Sequence, residues 1–246
     1  MISVRAVDGL PEIEPGAPLG AMVGQAADAA PEDVLVVSQK AVSKAEGRIR
    51  ELREVTPGSK ALGLAGELDK DPRLVQLILD ESRSIVRAER GVLITETRSG
   101  LICANAGIDS SNVPGEGRVV LLPEDPDASA RALRAEVRTA TGAAPALLIA
   151  DSFGRPWRIG QTDVAIGCAG LTPVDDWTGR RDRDGRELGA TAIAIADEVA
   201  AAAALVRDKA AGAPAAVVTG LGRHVTPGDG PGAAALRRAA ADDLFR

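Results

Sequence analysis

Two aspartates in this chain stand where a hard cation is most easily held. Asp109 lies in "NAGIDSSN" (105–112), where Asn, Asp, Ser and Gly surround a single apolar residue. Asp151 follows the apolar run "PALLIA" and precedes Ser152 and "FGRPWR". A carboxylate at the end of a buried strand, with a second on a turn, suits divalent cations, which take oxygen ligands. Magnesium usually keeps waters and binds phosphate oxygens as well. The competing reading is that the Asp merely caps a turn with its own side chain, and for Asp109 taken alone that reading is the stronger.

Basic residues accompany both carboxylates. Lys44 and Arg48 flank "AEG", and Arg155 and Arg158 follow Asp151. "TGRRDRDGRE" (178–187) interleaves Arg180, Arg181, Arg183 and Arg186 with Asp182, Asp184 and Glu187. Arg mixed with carboxylates suits a site that holds phosphates and metal ions. The plainer reading is a solvated loop of self-paired charges. "GLPEI" (9–13) reads by itself as a proline turn, although its backbone amides could meet a base or a phosphate. His224 is the only histidine, which excludes a His-rich zinc site. Cys103 and Cys168 show no paired spacing and read as reduced, cytosolic core thiols. Neither standard nucleotide loop, GxxxxGK[ST] or a strand-borne GxGxxG, is present, and there is no GxSxG elbow.

The elements that must position these residues follow from the apolar pattern. Strands are expected at 2–7, 33–39, 84–89, 91–105 (with a hairpin turn at 97–100) and 117–122. Further strands are expected in "PALLIADS", ending at Asp151, in "RIGQTDVAIGCAGL", and in "PAAVVTGL". Helices are expected at 18–30, in two pieces over 59–82 broken at Asp71-Pro72, at 127–140, at 189–210, and in the closing "GAAALRRAAADDLF". The chain turns at Gly47, and "VTPGDGPG" (225–232) reads as a surface loop or a linker. Runs of strands without regular β-α-β alternation predict an α+β fold. A length of 246 residues is enough for one large core. The net charge of −6 argues against a general nucleic-acid binder but leaves room for a small anionic ligand. The apolar stretch Gly189–Val206 contains Asp197 and Glu198, so it reads as a buried helix and not a membrane span. With no apolar leader in the opening residues, a cytoplasmic protein is expected.

Taken in order, "GLPEI…PG", "DVLVVSQKAVSKAEGR", "NAGIDSSN", "DSFGRPWRIGQTDVAIG", "DDWTGRRDRDGRELGATAIAIADEVAAAAALV" and "GAPAAVVTGL" resemble the coenzyme F420-0:L-glutamate ligases, from about residue 4 to 222. The resemblance implies a GTP-dependent reaction. The terminal carboxylate of F420-0 is phosphorylated, the acyl phosphate is attacked by the amine of L-glutamate, and further γ-linked glutamates can follow. It implies two divalent ions, Mg2+ or Mn2+, with potassium in some relatives. Asp109 and Asp151 would be the catalytic metal ligands, with the Ser152 hydroxyl beside them and Glu187 as a further metal or orienting candidate. Leu10, Pro11, Glu12, Ile13, Gln39, Lys44 and Asn112 would contact the nucleotide, as would Lys209 in the 207–214 segment. The implied fold is α+β, with mixed and antiparallel sheets, flanking helices and an intertwined homodimer.

The chain departs from the pattern at Gln39, where relatives often carry a small hydroxyl residue, and at Asp163, where Asn is expected. Asp163 either adds a charge near the pocket or faces solvent. The ending "AAADDLFR" resembles the junction at which some actinobacterial relatives continue into a nitroreductase-like domain. One ligase domain over 1–246, without that extension, is expected. Two alternatives stay open: a carboxylate–amine ligase with another acceptor or nucleotide, and a non-catalytic deazaflavin or nucleotide carrier. The pair Asp109 and Asp151 counts against a carrier.

Overall fold

The two densest apolar runs become the centre of the molecule. "VLVV" (34–37) and "ALLIA" (146–150) are buried at every position, as strands covered on both faces must be. The computed structural model describes residues 1–111, 115–207 and 212–244. In chain order the elements are β1 (Ser3–Val7), α1 (Leu19–Ala27), β2 (Val34–Ser38), α2 (Gln39–Ala45), β3 (Ile49–Glu51), α3 (Ser59–Leu68) and α4 (Pro72–Asp80). Next come β4 (Ser82–Glu89), β5 (Val92–Thr97), β6 (Ile102–Ala104), β7 (Arg118–Val120), α5 (Pro126–Thr141), β8 (Ala146–Arg155) and β9 (Arg158–Ala169). The chain continues through β10 (Asp175–Asp176), β11 (Ala192–Ile193), α6 (Ile195–Ala204) and β12 (Ala215–Thr219).

The main sheet has five strands in the order β1-β12-β2-β8-β9, and only β2 and β8 run parallel. Successive residues of a strand face opposite sides. Leu35, Val37, Leu147, Ile149 and Val217 therefore pack on one face, in a core shared with α1 and α5. Val34, Val36, Leu148 and Val218 pack on the other, against α6. Helices α1 and α5 touch closely through Gly20, where a Cβ would stand 2.5 Å from the Leu133 carbonyl oxygen. A second, smaller core joins α3 and α4 to β5 and β7 through Ala61, Val75, Ile78, Leu93, Val119 and Leu121, and Ile108 belongs to it. The three-stranded sheet β4-β5-β6 and the pair β3-β7 are antiparallel. The mixed α+β class expected from the sequence is what the chain adopts.

The break expected at Asp71-Pro72 is where α4 starts, and α5, expected from Asp127, starts one residue earlier at Pro126. Asp71 caps α4, accepting the Arg73 N–H at 2.8 Å, and Asp125 caps α5, accepting the Ala128 N–H at 3.0 Å; a proline follows each cap. Three expectations need correction. Asp151 is not the last residue of its strand: β8 runs on to Arg155, and only its buried half ends there. The helix expected over 189–210 is confined to Ile195–Ala204, while Ala192–Ile193 pairs with β10. The closing segment is not a helix but short 3-10 turns at Ala233–Leu236 and Ala240–Asp242. The cause is tertiary. The buried carboxylate of Asp127 takes the N–H groups of Ala233 (2.7 Å), Ala234 (3.1 Å) and Cys168 (2.9 Å). Of the two readings of 225–232, the surface loop is the one found, and it is tied down. The buried Arg134 donates to the carbonyls of Ala144, Pro145, Thr226 and Pro227 and to Asp229. Among the described residues, no helix is long and apolar enough to cross a membrane.

Candidate active site

Helix α2 begins directly where β2 ends, with no loop between Ser38 and Gln39. Its two lysines, four residues apart, share one face of the helix. Lys40 reaches the "NAGIDSS" loop, with its Nζ 2.8 Å from Asp109 Oδ2 and 2.5 Å from Ser111 Oγ. Lys44 reaches the "GLPEI" loop, with its Nζ 2.5 Å from Glu12 Oε1. Gln39 turns the other way. It is 1% exposed, and its Nε2 donates to Ser43 Oγ and the Leu121 carbonyl.

Asp109 is delivered by a strained turn. Asn105, Ala106 and Gly107 have φ of 53°, 52° and 71° in succession. L-residues avoid the left-handed region, and such strain persists only where surrounding structure enforces it. Leu122 packs against Gly107, where a Cβ would come within 2.6 Å of its Cγ and Cδ1. Beyond the turn, Asp109 exchanges backbone hydrogen bonds with Val120 at 3.1 and 2.8 Å. Its side chain accepts from the Ser111 N–H at 2.7 Å and the Ser111 hydroxyl at 3.0 Å. Asp109 thus caps its own turn, as the plainer reading has it, and also faces Lys40. Burial pushes its pKa up, but Lys40 and the two Ser111 donors outweigh that, and the carboxyl titrates below its ordinary value. Gly107→Ala should cost about 2–3 kcal/mol of stability, since it adds an overlap to a position with positive φ. Urea denaturation checks this, and an unchanged midpoint would mean that the turn relaxes freely.

Asp151 follows a bulge that shifts the register of β8 against β9 between Ile149 and Ala150. Bulges commonly re-aim side chains beside functional sites. Burial raises its pKa to about 6; the Ser152 N–H, at 2.9 Å, and Lys40 oppose the shift, while Asp163 and Asp109 add to it. Ser152 sits across the ladder from Asp163 and donates its hydroxyl proton to Asp163 Oδ1 at 2.6 Å. Its oxygen lone pairs are left to accept. Asp163 Oδ2 pairs with Arg207, and both side chains are nearly enclosed. The question raised by Asp163 is thereby answered: it faces inward, with a counter-ion.

The donors fit a magnesium-like ion. They are two carboxylates and a hydroxyl, all hard oxygen ligands. Among the described residues, no three His, Cys, Asp or Glu side chains group closely enough to cage a metal. A cation here would thus keep open positions for water or phosphate, as magnesium prefers. Glu187 does not join: it is exposed in the segment between β10 and β11 and bridges to Arg181 through the backbone. That segment pairs its own charges, with Arg180 on Asp175 at 3.2 Å and over the Trp177 ring at 5.0 Å. In the "GLPEI" loop, Ile13 is core, Leu10 is half-buried, and Pro11 and Glu12 are exposed. Asn112 and Lys209 lie outside the described residues. Burial pushes the Cys103 and Cys168 thiols up to about 12, which suits core filler and not nucleophiles. His224 is buried, and its Nε2 accepts from Arg223. The reading of the sequence missed Lys40, Ser111 and Arg207. Lys40 had a signal, because it lies one helical turn before Lys44 at the end of a buried strand.

Comparison with known proteins gives this arrangement a class: it is an enzyme, a ligase. The chain belongs to the F420-0:Gamma-glutamyl ligase family, whose model matches residues 9–220. It is similar to the coenzyme F420:L-glutamate ligase of Haloarcula marismortui, 43% identical over 252 residues that cover 100% of this chain and 96% of the relative. The protein of that name from Methanopyrus kandleri is 43% identical, covering 96% and 94%. That from Methanothermobacter thermautotrophicus is 42% identical, covering 100% and 99%.

Proposed function

We propose that this chain joins L-glutamate to the terminal carboxylate of F420-0 at the expense of GTP, through an acyl phosphate, and can extend the product with γ-linked glutamates. The observation that carries the reading is that Lys40 of helix α2 meets Asp109 and Ser111 of one loop, near enough to the buried Asp151 of β8, beside Ser152, for their charges to act on it. A carboxylate is a poor acyl donor and must first be activated. Phosphoryl transfer relies on positioned cations to bridge and neutralise phosphate charge.

Asp109, Asp151 and the Ser152 oxygen would hold the divalent ions, Mg2+ or Mn2+, which supply electrostatic stabilisation of the transferred phosphoryl group. Lys40, ion-paired with Asp109, would offer its ammonium to phosphate oxygens of the nucleotide. Lys44, with the Leu10–Ile13 backbone, borders the nucleotide. Gln39 acts from the interior, tying α2 to Leu121 beside the loop. Asp163 keeps the Ser152 proton turned away, so that the hydroxyl presents lone pairs. Glu187 is given no role. A homodimer is part of this reading, supported by apolar residues left exposed on the three-stranded sheet: Val86 (38%), Val92 (46%) and Ile102 (37%). Size-exclusion chromatography with light scattering reads that directly.

In the proposed chemistry a carboxylate oxygen of F420-0 attacks the γ-phosphorus and GDP leaves. The glutamate amine then attacks the acyl carbon, the C–O bond breaks, and phosphate departs with that oxygen. F420-0 labelled with 18O in its carboxylate should therefore yield inorganic phosphate carrying one 18O per amide formed. Unlabelled phosphate alongside amide would reject the acyl phosphate.

A further inference from the structure

Two buried guanidiniums in this chain are used in opposite ways. Arg134 spreads its nitrogens over four backbone carbonyls and Asp229, as a structural rivet does. Arg207 gives its Nη2 to Asp163, and its buried Nε has no partner. The Arg207 side chain is 7% exposed and that of Asp163 13%, so both charges are largely cut off from water. An enclosed ion pair loses to desolvation much of what it gains by attraction, and an unsatisfied buried donor adds to the cost. Stability therefore does not account for the pair; what Asp163 would otherwise bind does.

The pair is held in place from both sides. Helix α6 is tied to β9 twice: Asp197, in its first turn, accepts the Ala165 N–H at 2.9 Å, and Arg207, three residues beyond its end, takes Asp163. Asp163 faces Ser152 across the β8–β9 ladder, and its Oδ1 accepts the Ser152 hydroxyl proton at 2.6 Å. A third carboxylate thus stands within hydrogen-bond distance of the serine oxygen offered to the metal, and its charge also acts on Asp151. One of its oxygens meets Ser152 and the other meets Arg207.

The number of carboxylates decides which hard cation such a site prefers. Magnesium takes one or two, together with waters and phosphate oxygens. Calcium accepts about six to eight oxygens in a flexible shell and gains from each added carboxylate. With Asp163 withheld, Asp109 and Asp151 leave the site at two.

We propose that Arg207 sets the ion selectivity of this site. By pairing with Asp163 it withholds a third carboxylate, so that the cation keeps positions for phosphate oxygens and calcium is disfavoured. Arg207 acts through Asp163, as a positioning residue. The inference rests on the metal part of the ligase reading.

The test is isothermal titration of metal-stripped protein with Mg2+ and with Ca2+, for the wild type, Arg207→Gln and the double variant Asp163→Asn/Arg207→Gln. The ratio of calcium to magnesium affinity should rise about tenfold or more in Arg207→Gln, where Asp163 loses its counter-ion. It should return to the wild-type value in the double variant, which has no third carboxylate to release. A merely structural Arg207 would weaken both ions alike. Melting curves give a second reading: Arg207→Gln should melt below the wild type in EDTA and be raised more by calcium than the wild type is. Should it be unfolded in EDTA, calcium must refold it in preference to magnesium, and failure to do so overturns the proposal. A folded Arg207→Gln with the wild-type ratio would overturn it too, as would a double variant that retains the raised ratio, or binding of neither ion by any of the three. Ligation by the wild type with an unchanged ratio in Arg207→Gln sinks this inference alone. If the ratio shifts as stated and the wild type forms no amide with F420-0, the ligase reading fails and the selectivity role stands.

Discussion

Asp151→Asn will stop ligation and at the same time make the metal-free protein harder to melt. If Asp151 holds the metal as proposed, the loss of turnover should be about a thousandfold or more, because one of the two carboxylates that would bind the ion is removed, a loss of about 4 kcal/mol or more. The gain in stability follows from the shifted pKa. Asp151 titrates near 6 in the folded chain against an ordinary 3.8, chiefly because it is buried. The folded state therefore holds this proton more tightly than the unfolded state. Stability from this group falls as pH rises through the interval between those two values, and the full penalty stands above it. Neutral Asn keeps an oxygen for the Ser152 N–H and removes the penalty, which is about 2–3 kcal/mol. In EDTA at pH 8 the variant should melt about 5 °C higher than the wild type, and the difference should vanish below pH 4. Scanning calorimetry across pH checks the sign. Added manganese should raise the wild-type Tm and leave the variant nearly unmoved.

Arg134→Ala should be strongly destabilising. One guanidinium, with 7% of its side chain exposed, holds four backbone carbonyls and Asp229. Its removal strands those acceptors and frees the 225–232 loop from α5. Losing one member of a buried charged network typically costs about 3–5 kcal/mol. In a chain of this size that is a fall in Tm of about 10 °C. Arg134→Lys should recover little, because one ammonium cannot reproduce a fork directed at separate carbonyls. A melting curve within 2 °C or so of the wild type would mean that the loop holds itself.

Much of the fold was legible, and the exceptions share a cause. β2 and β8 announce themselves because strands buried on both faces are apolar at every position. The starts of α4 and α5 are readable from Asp-Pro, where cap and proline act locally. The C-terminal segment is alanine-rich and reads as a helix, yet the carboxylate that fixes it, Asp127, is 106 residues away from Ala233. Helix α6 was overdrawn at both ends for a related reason. Alanine favours helix without marking where one stops, and only pairing with β10 shows that Ala192–Ile193 is extended. At the site, Asp109 and Asp151 stand out by residue type and position, the resemblance gives them and Ser152 a role, and the structure pairs Lys40 with Asp109. Asp163 could not be decided from sequence, because its partner Arg207 is 44 residues distant. A cavity at Arg98 left no sequence signal either, since its lining residues are spread along the chain from Arg48 to Glu124.

The most direct measurement is the mass of the product. The protein is incubated with F420-0, L-glutamate, GTP and manganese, with parallel reactions in which ATP replaces GTP or EDTA is added. The account predicts F420 species heavier by one or more glutamyl units, formed with GTP and metal and absent in EDTA. An unchanged F420-0 mass, from folded protein that binds nucleotide, would contradict it.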